Sequence, residues 1–395
     1  MWILRVLSSP CPKCDTIGQF GNATVSQNAL LRGCNACGMR TNILLPKLRK
    51  HVLYLDQSFL SIAFKEKDSR YVEAATRIAD LAHRQLLVCP RSYVHEDETH
   101  LWRSENREAL WNFVKKTARG NEFMQSYYVK MAQLNRSFEA FVKAGPITHT
   151  VDRHDALEGD VDEWENYMYV EIGTFKTDWD AVRLGKTQNV AHLVDRFDEW
   201  RGSPREFEHD RILEADGIAW GFVVLYDHAE ELRRQGAFAD YFNSSIESDF
   251  IRELLDAATA AGFGHDPLTK VGEYLSSEYF RQTPFVDISS QIGAMLRTRV
   301  RGGQFPRKEE AQAALAGYFY DVNAISIFAP YCDGVFVDRQ MSAWLSDRQE
   351  TIGSRYGFEV FSALDFPRFQ AFLDMVEGEE TEAIRYGIEL VKGNL

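Results

Sequence analysis

The segment "APYCDGVFVDRQ", residues 329–340, contains a short apolar run with an aspartate at each end. Asp333 precedes the run at 335–337, and Asp338 follows it. The run is typical of a buried strand, because it is β-branched and aromatic and has turn residues on its N-terminal side. Taking a carboxylate out of water is costly unless a cation or hydrogen-bond donors compensate. The segment therefore predicts a strand whose acidic ends have compensating partners.

Strands alternate with helices on both sides of this segment. Strands are predicted at 51–56, 85–90, 334–337 and 358–362, and helices at about 58–84, 93–143, 309–328, 339–352 and from 367 onward. Such alternation predicts an α/β fold with a mostly parallel sheet covered by helices on both faces. Because the strands occur near both ends of the chain, the helical patterns between them indicate a long insertion.

Four of the six cysteines form two Cys-x-x-Cys pairs, Cys11 with Cys14 and Cys34 with Cys37, separated by nineteen residues. Each short loop can supply two thiolates to one tetrahedral Zn²⁺. A redox site needs only one such pair, and a reducing compartment disfavours disulfides. Gly38 suits the tight turn after the second pair. We therefore predict a structural zinc ribbon, since four protein ligands leave no open position on the metal.

These patterns divide the chain into four segments. The predicted units are a zinc ribbon at 1–48, the first part of the α/β domain at 49–102, a mainly helical insertion at 103–284 and the second part of the α/β domain at 285–395. The insertion is the expected surface for any homo-oligomer or protein partner.

Acidic residues follow three of the predicted strands. Asp56 and Asp338 each end a strand, and Glu96 and Glu98 lie on a helix that follows another. Asp321 lies on the apolar face of a predicted helix. In open parallel sheets, ligands bind beyond the carboxyl ends of the strands. Carboxylates brought together there would repel one another, so a hard divalent cation is the natural compensator.

Most of these acids also have a purely structural interpretation. Asp56 can be the N-cap of the next helix. Glu96 can favour the helix dipole from the first turn, and Asp333 can be a turn residue. Asp321 is the hardest to interpret structurally, because its predicted helix face is apolar.

The net charge of −13 is unevenly distributed. Residues 1–50 carry seven basic groups and one acidic group, and the run "RTRVRGGQFPRK" at 297–308 carries five basic groups and no acid. Basic patches on an acidic body are compatible with a polyanionic partner.

The sequence resembles the PIN-like nuclease superfamily at "YLDQS" (54–58), "CPRSYVHEDE" (89–98) and "YDVNAISIFAPYCDGVFVD" (320–338). The resemblance covers roughly 51–102 and 285–375, and it implies a parallel sheet sandwiched by helices. The acidic set that it implies is Asp56, Glu98, Asp321 and Asp338, with Glu96 and Asp333 as auxiliary residues. Glu98 is preferred over Glu96 because it lies six residues after Ser92, near the usual spacing. Ser58 and Ser92 would hydrogen-bond the carboxylates or a substrate phosphate.

The activity implied by the resemblance is Mg²⁺- or Mn²⁺-dependent hydrolysis of phosphodiester bonds, with RNA favoured over DNA as the substrate. A carboxylate-bound metal removes the need for a nucleophilic serine or cysteine. Arg297, Arg299 and Arg301 would then contact the nucleic-acid backbone.

Two other function classes compete with this one. In the main alternative, the protein is a non-catalytic nucleic-acid or protein-binding scaffold with a degenerate acidic cleft. A phosphohydrolase acting on small phosphoesters is disfavoured, because Asp56 is followed by Gln57 and Ser58 rather than by a second aspartate two places on. No Walker loop is present, which disfavours an NTP-driven enzyme.

No apolar run approaches the roughly 20 residues needed to span a bilayer. The segment "MWILRVLSSPCPKC" is too quickly polar to be a convincing signal peptide. We therefore expect a cytoplasmic protein with no membrane partner.

Overall fold

The computed structural model of the chain describes residues 10–102, 105–165, 179–347 and 352–392. The predicted ribbon at 1–48 and the predicted helix at about 339–352 therefore lie partly outside the described residues, as does Arg5 of the basic N-terminal segment.

Seven strands and nineteen α-helices lie within the described ranges. The strands are β1 (Phe20–Ser26), β2 (Ala29–Cys34), β3 (Arg40–Leu44), β4 (His51–Leu55), β5 (Leu87–Val88), β6 (Gly334–Phe336) and β7 (Glu359–Phe361). The first helices are α1 (Gln57–Phe64), α2 (Ser69–His83), α3 (Tyr93–Leu101), α4 (Arg107–Ala118), α5 (Ser126–Val142), α6 (Trp179–Asp195), α7 (Phe197–Gly202), α8 (Phe207–Arg234) and α9 (Phe238–Phe242). The others are α10 (Asp249–Ala258), α11 (Pro267–Leu275), α12 (Glu278–Arg281), α13 (Pro284–Arg301), α14 (Lys308–Ala314), α15 (Tyr318–Phe328), α16 (Arg339–Leu345), α17 (Ile352–Tyr356), α18 (Phe366–Gly378) and α19 (Glu382–Lys392).

The larger sheet has the order β5-β4-β6-β7, and all of its strands are parallel. In the central pair, Leu53 of β4 aligns with Gly334 of β6. Because the strands are parallel, the residues that follow β4 and β6 lie at the same edge of the sheet. The prediction of a parallel sheet in a mixed α/β fold is thus confirmed.

Helices cover both faces of this sheet, and β4 shows how the sequence divides them. Val52 and Tyr54 point into a core shared with α5, α8, α10, α13 and α15. Leu53 and Leu55 point the other way, into a core shared with α1, α2, α4 and α18. Alternate side chains of a strand face opposite sides of its sheet, and near-continuous apolarity is expected of a strand covered on both faces. Helices α5, α8, α10, α13 and α15, which lie between β5 and β6 in the chain, therefore form one core with the sheet.

The small sheet is antiparallel with the order β1-β2-β3, and it packs against the rest of the chain. Val25 and Leu30 of the small sheet form an apolar cluster with Trp164 and with Val391 of α19. Asn22 of β1 donates from Nδ2 to the carbonyl of Leu390 at 2.6 Å, which ties the module to the end of α19.

At least three of the long helices predicted from the sequence are interrupted, and the longest, at about 93–143, divides into α3, α4 and α5. The stretch at 58–84 divides into α1 and α2, because Glu66 adopts a φ of 50° and Asp68 caps α2. The stretch at 309–328 divides into α14 and α15, with Gly317 as the N-cap of α15. Within the described ranges, no helix is both long and apolar enough to cross a bilayer.

Candidate active site and metal centres

Asp56 and Asp338 follow the two central strands, and each begins the next helix. Asp56 is the N-cap of α1, and its Oδ2 accepts hydrogen bonds from the backbone N–H and the hydroxyl of Ser58. Asp338 is the N-cap of α16, and its Oδ1 accepts from the N–H of Met341 at 2.6 Å. The backbone N–H of Asp56 also donates to the carbonyl of Phe336 in β6 at 2.9 Å. The capping bonds fix both side chains while leaving one oxygen of each carboxylate outside the cap.

Three carboxylates meet at this edge of the sheet. Each of Asp56, Glu98 on α3 and Asp321 on α15 offers an oxygen, and these oxygens all lie within 4.8 Å of one another. Gly317 is one turn before Asp321, and a Cβ at Gly317 would lie 3.0 Å from Asp321 Oδ2. A larger residue at 317 would therefore push the Asp321 carboxylate out of its present position. We call Asp56, Glu98 and Asp321 the acidic triad.

Burial and mutual repulsion make the charged form of the triad unfavourable. Burial raises the pKa of Asp321 well above its usual range, and the charges of Asp56, Glu98 and Asp338 raise it further. Burial, followed by the charge of Asp56, raises the pKa of Glu98 to about 7. Burial also raises the pKa of Asp56, and Asp338 adds to that shift by repulsion. Asp338 is thus an electrostatic neighbour of the triad, although it lies outside the group of three and is exposed.

A buried histidine holds the strand end and helix α3 together. His95 donates from Nε2 to the carbonyl of Leu55 at 2.7 Å, directly before Asp56. Its Nδ1 accepts from the N–H of Ser92 at 3.0 Å, and its ring stacks on Tyr54 with 5.2 Å between centroids. Burial lowers the pKa of His95 to about 4, so the ring is neutral at pH 7. This pairing sets the position of α3, and with it Glu98, relative to Asp56.

Of the two serines expected to bind the carboxylates or a phosphate, only one lies beside a carboxylate of the triad. Ser58 donates to Asp56, which is one of the roles expected for it. Ser92 is buried and forms the capping box of α3 with His95, so it is a structural residue rather than a phosphate ligand. Glu96 lies in the first turn of α3 and is not part of the triad, which contains Glu98 instead.

Asp333 lies at the edge of the sheet opposite the acidic triad. The prediction that it is an auxiliary metal ligand is therefore wrong. Its Oδ2 accepts from the N–H of Val52, near the start of β4, at 2.7 Å. Arg153 binds both of its oxygens, at 2.6 and 2.8 Å. Because Asp333 precedes β6 and Asp338 follows it, the strand separates the two carboxylates. Asp333 therefore forms a structural ion pair.

The arginines of the basic run are paired within the chain. Arg297 is buried, lies over the ring of Trp200 and pairs with Glu214 at 2.5 Å. Arg299 pairs with Asp347 at 2.6 Å, and Arg301 pairs with the buried Asp210. Intramolecular carboxylates thus occupy the guanidinium groups, and Arg297 is too buried to contact a nucleic-acid backbone. The burial of Arg297 argues against its predicted binding role, and the binding role of Arg299 and Arg301 stays a prediction that their ion pairs make less favourable.

Lys186 lies beside the triad, although its position in the sequence does not indicate this. Its Nζ is 3.7 Å from Glu98 Oε1 and 4.4 Å from the centroid of the Tyr320 ring. Lys186 belongs to α6, in the helical insertion, and no local pattern around it distinguishes it from an ordinary surface lysine. Only the packing of α6 on α3 brings it to the site.

The four paired cysteines converge near the N-terminus. Sγ of Cys11 is 3.7 Å from Sγ of Cys37, and Sγ of Cys14 is 3.8 Å from Sγ of Cys34. These separations are far longer than a disulfide bond. Thiolates at tetrahedral corners about 2.3 Å from a zinc ion would be about 3.8 Å apart. The four cysteines are therefore positioned to bind a metal ion.

The two cysteine loops have matching backbones. Gly38, after the second pair, has a φ of 69°, and its N–H donates to the carbonyl of Cys34 at 3.0 Å. Asp15, after the first pair, has a φ of 56° and donates to the carbonyl of Cys11 at 2.8 Å. Aspartate tolerates this left-handed conformation better than most residues, so both loops form the same turn.

Compared with known proteins, the chain matches no family model, no curated protein and no solved structure. Its function is therefore inferred from the geometry of the acidic triad and of the cysteine cluster.

Proposed function

We propose that this protein is a metal-dependent nuclease that hydrolyses phosphodiester bonds, with Mg²⁺ or Mn²⁺ bound at the acidic triad. The observation that carries the proposal is the convergence of Asp56, Glu98 and Asp321, from three separate elements, within 4.8 Å at the carboxyl edge of a parallel sheet. Converging strand ends are where ligands bind in open α/β sheets. Like charges held together at a cost to the protein are more often functional than accidental.

The donor set fits a hard divalent cation. The triad offers only carboxylate oxygens, which Mg²⁺ and Mn²⁺ prefer over sulfur and imidazole ligands. Burial, and after it mutual repulsion, raises the pKa values of Asp321, Asp56 and Glu98, and a bound cation would stabilise their charged forms. Lys186 supplies one positive charge at 3.7 Å from Glu98. One positive charge does not balance three ionised carboxylates, so a divalent ion would be needed to neutralise the rest.

When bound, the cation would position and activate the attacking water and stabilise charge on the leaving oxygen. The chain's own residues would prepare the site. Ser58 holds the Asp56 carboxylate through the cap of α1. His95 keeps α3 in register with the end of β4, so Glu98 faces Asp56. Asp338 is fixed by its cap on α16 and would orient water or a second cation at the rim.

Two exposed residues that are close in sequence to the acidic residues are suited to a nucleic acid. Arg339 directly follows Asp338, is exposed, and has no ion-pair partner among the described residues. Phe319 is two residues before Asp321 on α15, so its side chain leaves a different face of the helix, and it is 40% exposed, so a base of a longer substrate can stack on it. These two residues replace the 297–308 run as the proposed contacts to substrate. The preference for RNA over DNA comes from the resemblance to PIN-like nucleases.

The four-cysteine cluster is proposed to hold a structural zinc ion. Four thiolates leave no open position for substrate or water, so this ion would stabilise the N-terminal module rather than catalyse. The packing of the module on α19 and Trp164 gives the metal a role in holding these parts of the chain together.

The test is incubation of the purified protein with end-labelled single-stranded RNA and DNA in Mn²⁺, Mg²⁺ or EDTA. We expect cleavage with either metal, with RNA cut faster, and no cleavage in EDTA or with Asp321→Asn. Asp56→Asn should also abolish cleavage, and Asp68→Asn is its matched control, because Asp68 caps α2 as Asp56 caps α1 but is not part of the triad. Binding of nucleic acid without cleavage in any metal would favour the non-catalytic scaffold instead.

A further inference from the structure

Helix α6 is anchored to the helix that carries Glu98. Arg183 donates from Nε to the carbonyl of Leu101 and from Nη2 to the carbonyl of His100, both at 3.1 Å. The ring of His100 stacks on Trp179, with 4.7 Å between centroids and an interplanar angle of 11°. The start of α6 therefore caps the C-terminal end of α3, and the two helices are held in a fixed relation.

Lys186 follows Arg183 by three residues, so both side chains lie on the face of α6 that meets α3. Its Nζ is 3.7 Å from Glu98 Oε1, and the Tyr320 ring lies beneath the ammonium. The side chain of Lys186 is 23% exposed. Among the residues that the structure describes, no other lysine or arginine forms an ion pair with a member of the triad. Lys186 is thus the cation of the site when no metal is bound.

A divalent ion bound to Glu98 would change the surroundings of this ammonium. Two positive charges would then lie close to Nζ, and like charges repel at that range. Lysine has a flexible four-carbon stem, so its head group can move several ångströms without movement of α6. The anion that arrives with a nucleic acid is a backbone phosphate, for which an ammonium is a good partner.

We propose that Lys186 is an exchangeable counter-ion, which pairs with Glu98 in the metal-free site and with the scissile phosphate in the loaded one. Only the second of these roles, the pairing with the scissile phosphate, rests on the proposed nuclease function. In the first role Lys186 competes with metal for Glu98. In the second role it is a catalytic residue, since it touches the substrate.

The two roles predict opposite effects of one substitution. In Lys186→Met, loss of the competing charge should tighten Mn²⁺ binding by about 3- to 10-fold, because a like charge near the ion is removed. Loss of the phosphate contact should slow cleavage at saturating Mn²⁺ by about 10- to 100-fold. Lys186→Arg keeps the charge and should retain wild-type Mn²⁺ affinity and recover part of the rate.

Lys270 provides a closely matched control. Its Nζ is 3.1 Å from Glu273, it lies 4.5 Å from the centroid of the Phe141 ring, and its side chain is 22% exposed. Lys270→Met therefore removes the same charge from a similar environment away from the triad. It should change neither Mn²⁺ affinity nor cleavage rate.

The experiment measures Mn²⁺ binding by titration calorimetry on protein stripped with EDTA, and cleavage of labelled RNA in single-turnover reactions. Unchanged or weaker Mn²⁺ binding by Lys186→Met overturns the counter-ion role, and an unchanged cleavage rate overturns the phosphate role. If the wild-type protein binds Mn²⁺ but cleaves nothing, the nuclease function is wrong, and the calorimetric comparison alone still decides the counter-ion role. Thermal unfolding of each variant verifies that it is folded.

Discussion

Asp321→Asn is expected to make the metal-free protein more stable. Asparagine has the shape of aspartate, so the space beside Gly317 is kept, while the negative charge is removed. Two carboxylate oxygens at most 4.8 Å apart repel by at least about 3.5 kcal/mol when both groups are ionised, at an effective dielectric constant of about 20. Protonation limits this cost, because a carboxyl group with a raised pKa takes up a proton instead of bearing the full repulsion.

The raised pKa values of Asp321 and Glu98 set the direction of the effect and its dependence on pH. A shift of the Glu98 pKa from its ordinary value of 4.5 to about 7 corresponds to about 3 kcal/mol of lost stability above pH 7. The folded state holds the proton more tightly than the unfolded state, so stability falls as the pH rises from about 4.5 to 7. The pKa of Asp321 is itself raised well above its usual range, and each pKa unit is worth about 1.4 kcal/mol, so removing this carboxylate should recover at least about 1.4 kcal/mol at pH 8 and much less at pH 5.

Urea unfolding in EDTA, at pH 5 and pH 8, measures this difference directly. Comparing the variant with the wild-type protein at each pH cancels the contribution of His95, whose lowered pKa acts in the opposite direction. Saturating Mn²⁺ at 100 times its dissociation constant should stabilise the wild-type protein by about 2.7 kcal/mol and the variant far less.

Two other aspartates serve as controls. Asp68→Asn should change stability by less than about 0.5 kcal/mol, because the residue is near the surface and asparagine also caps helices. Asp333→Asn should destabilise the protein by about 1 to 3 kcal/mol, since Arg153 would lose its charged partner. The reasoning would be refuted if Asp321→Asn destabilised the protein in EDTA at pH 8 and Mn²⁺ stabilised it as much as the wild type.

The remaining predictions concern the metal module, the buried histidine and the basic run. Elemental analysis of reduced protein should find one zinc per chain, and Cys34→Ser should lose zinc and lower the melting temperature; zinc-free wild-type protein would contradict this. His95→Phe leaves the Leu55 carbonyl without its donor and should cost about 1–3 kcal/mol of stability. The wild type should lose stability as the pH falls from 6.5 towards 4, and urea titrations should show that this loss is absent in the variant. Arg299→Ala should leave the salt dependence of RNA binding unchanged, because Arg299 pairs with Asp347; a slope reduced by about 1 would indicate a phosphate contact.

The strand ends were predictable because sequence and geometry agree there. A short apolar run that ends in aspartate and is followed by a helical pattern defines both the strand and the edge of the sheet, as at Asp56 and Asp338. The same logic argues against a metal-binding role for Asp333, because this residue precedes its strand and so lies at the other edge of the sheet. At roughly 3.3 Å per residue, the run between Asp333 and Asp338 separates them by more than 10 Å.

Contacts between distant parts of the chain were not predictable. The partners of Arg297 and Asp333 are Glu214 and Arg153, and only the folded chain brings these pairs together. Lys186 reaches Glu98 for the same reason. Charge counted along the sequence overestimates how much of it is available to a partner, since a basic run can be neutralised by carboxylates from elsewhere in the fold.

The hydrogen bond from Asn22 to Leu390 has a consequence for synthesis. The two residues are 368 positions apart, so at 5 to 20 residues per second the docking site of the small sheet is made roughly 20 to 70 seconds after the sheet itself. During that interval the apolar side chains of Val25 and Leu30 have no cover from α19. Early zinc loading would give the nascent module a fixed shape while it waits, which makes metal supply a factor in the yield of folded protein.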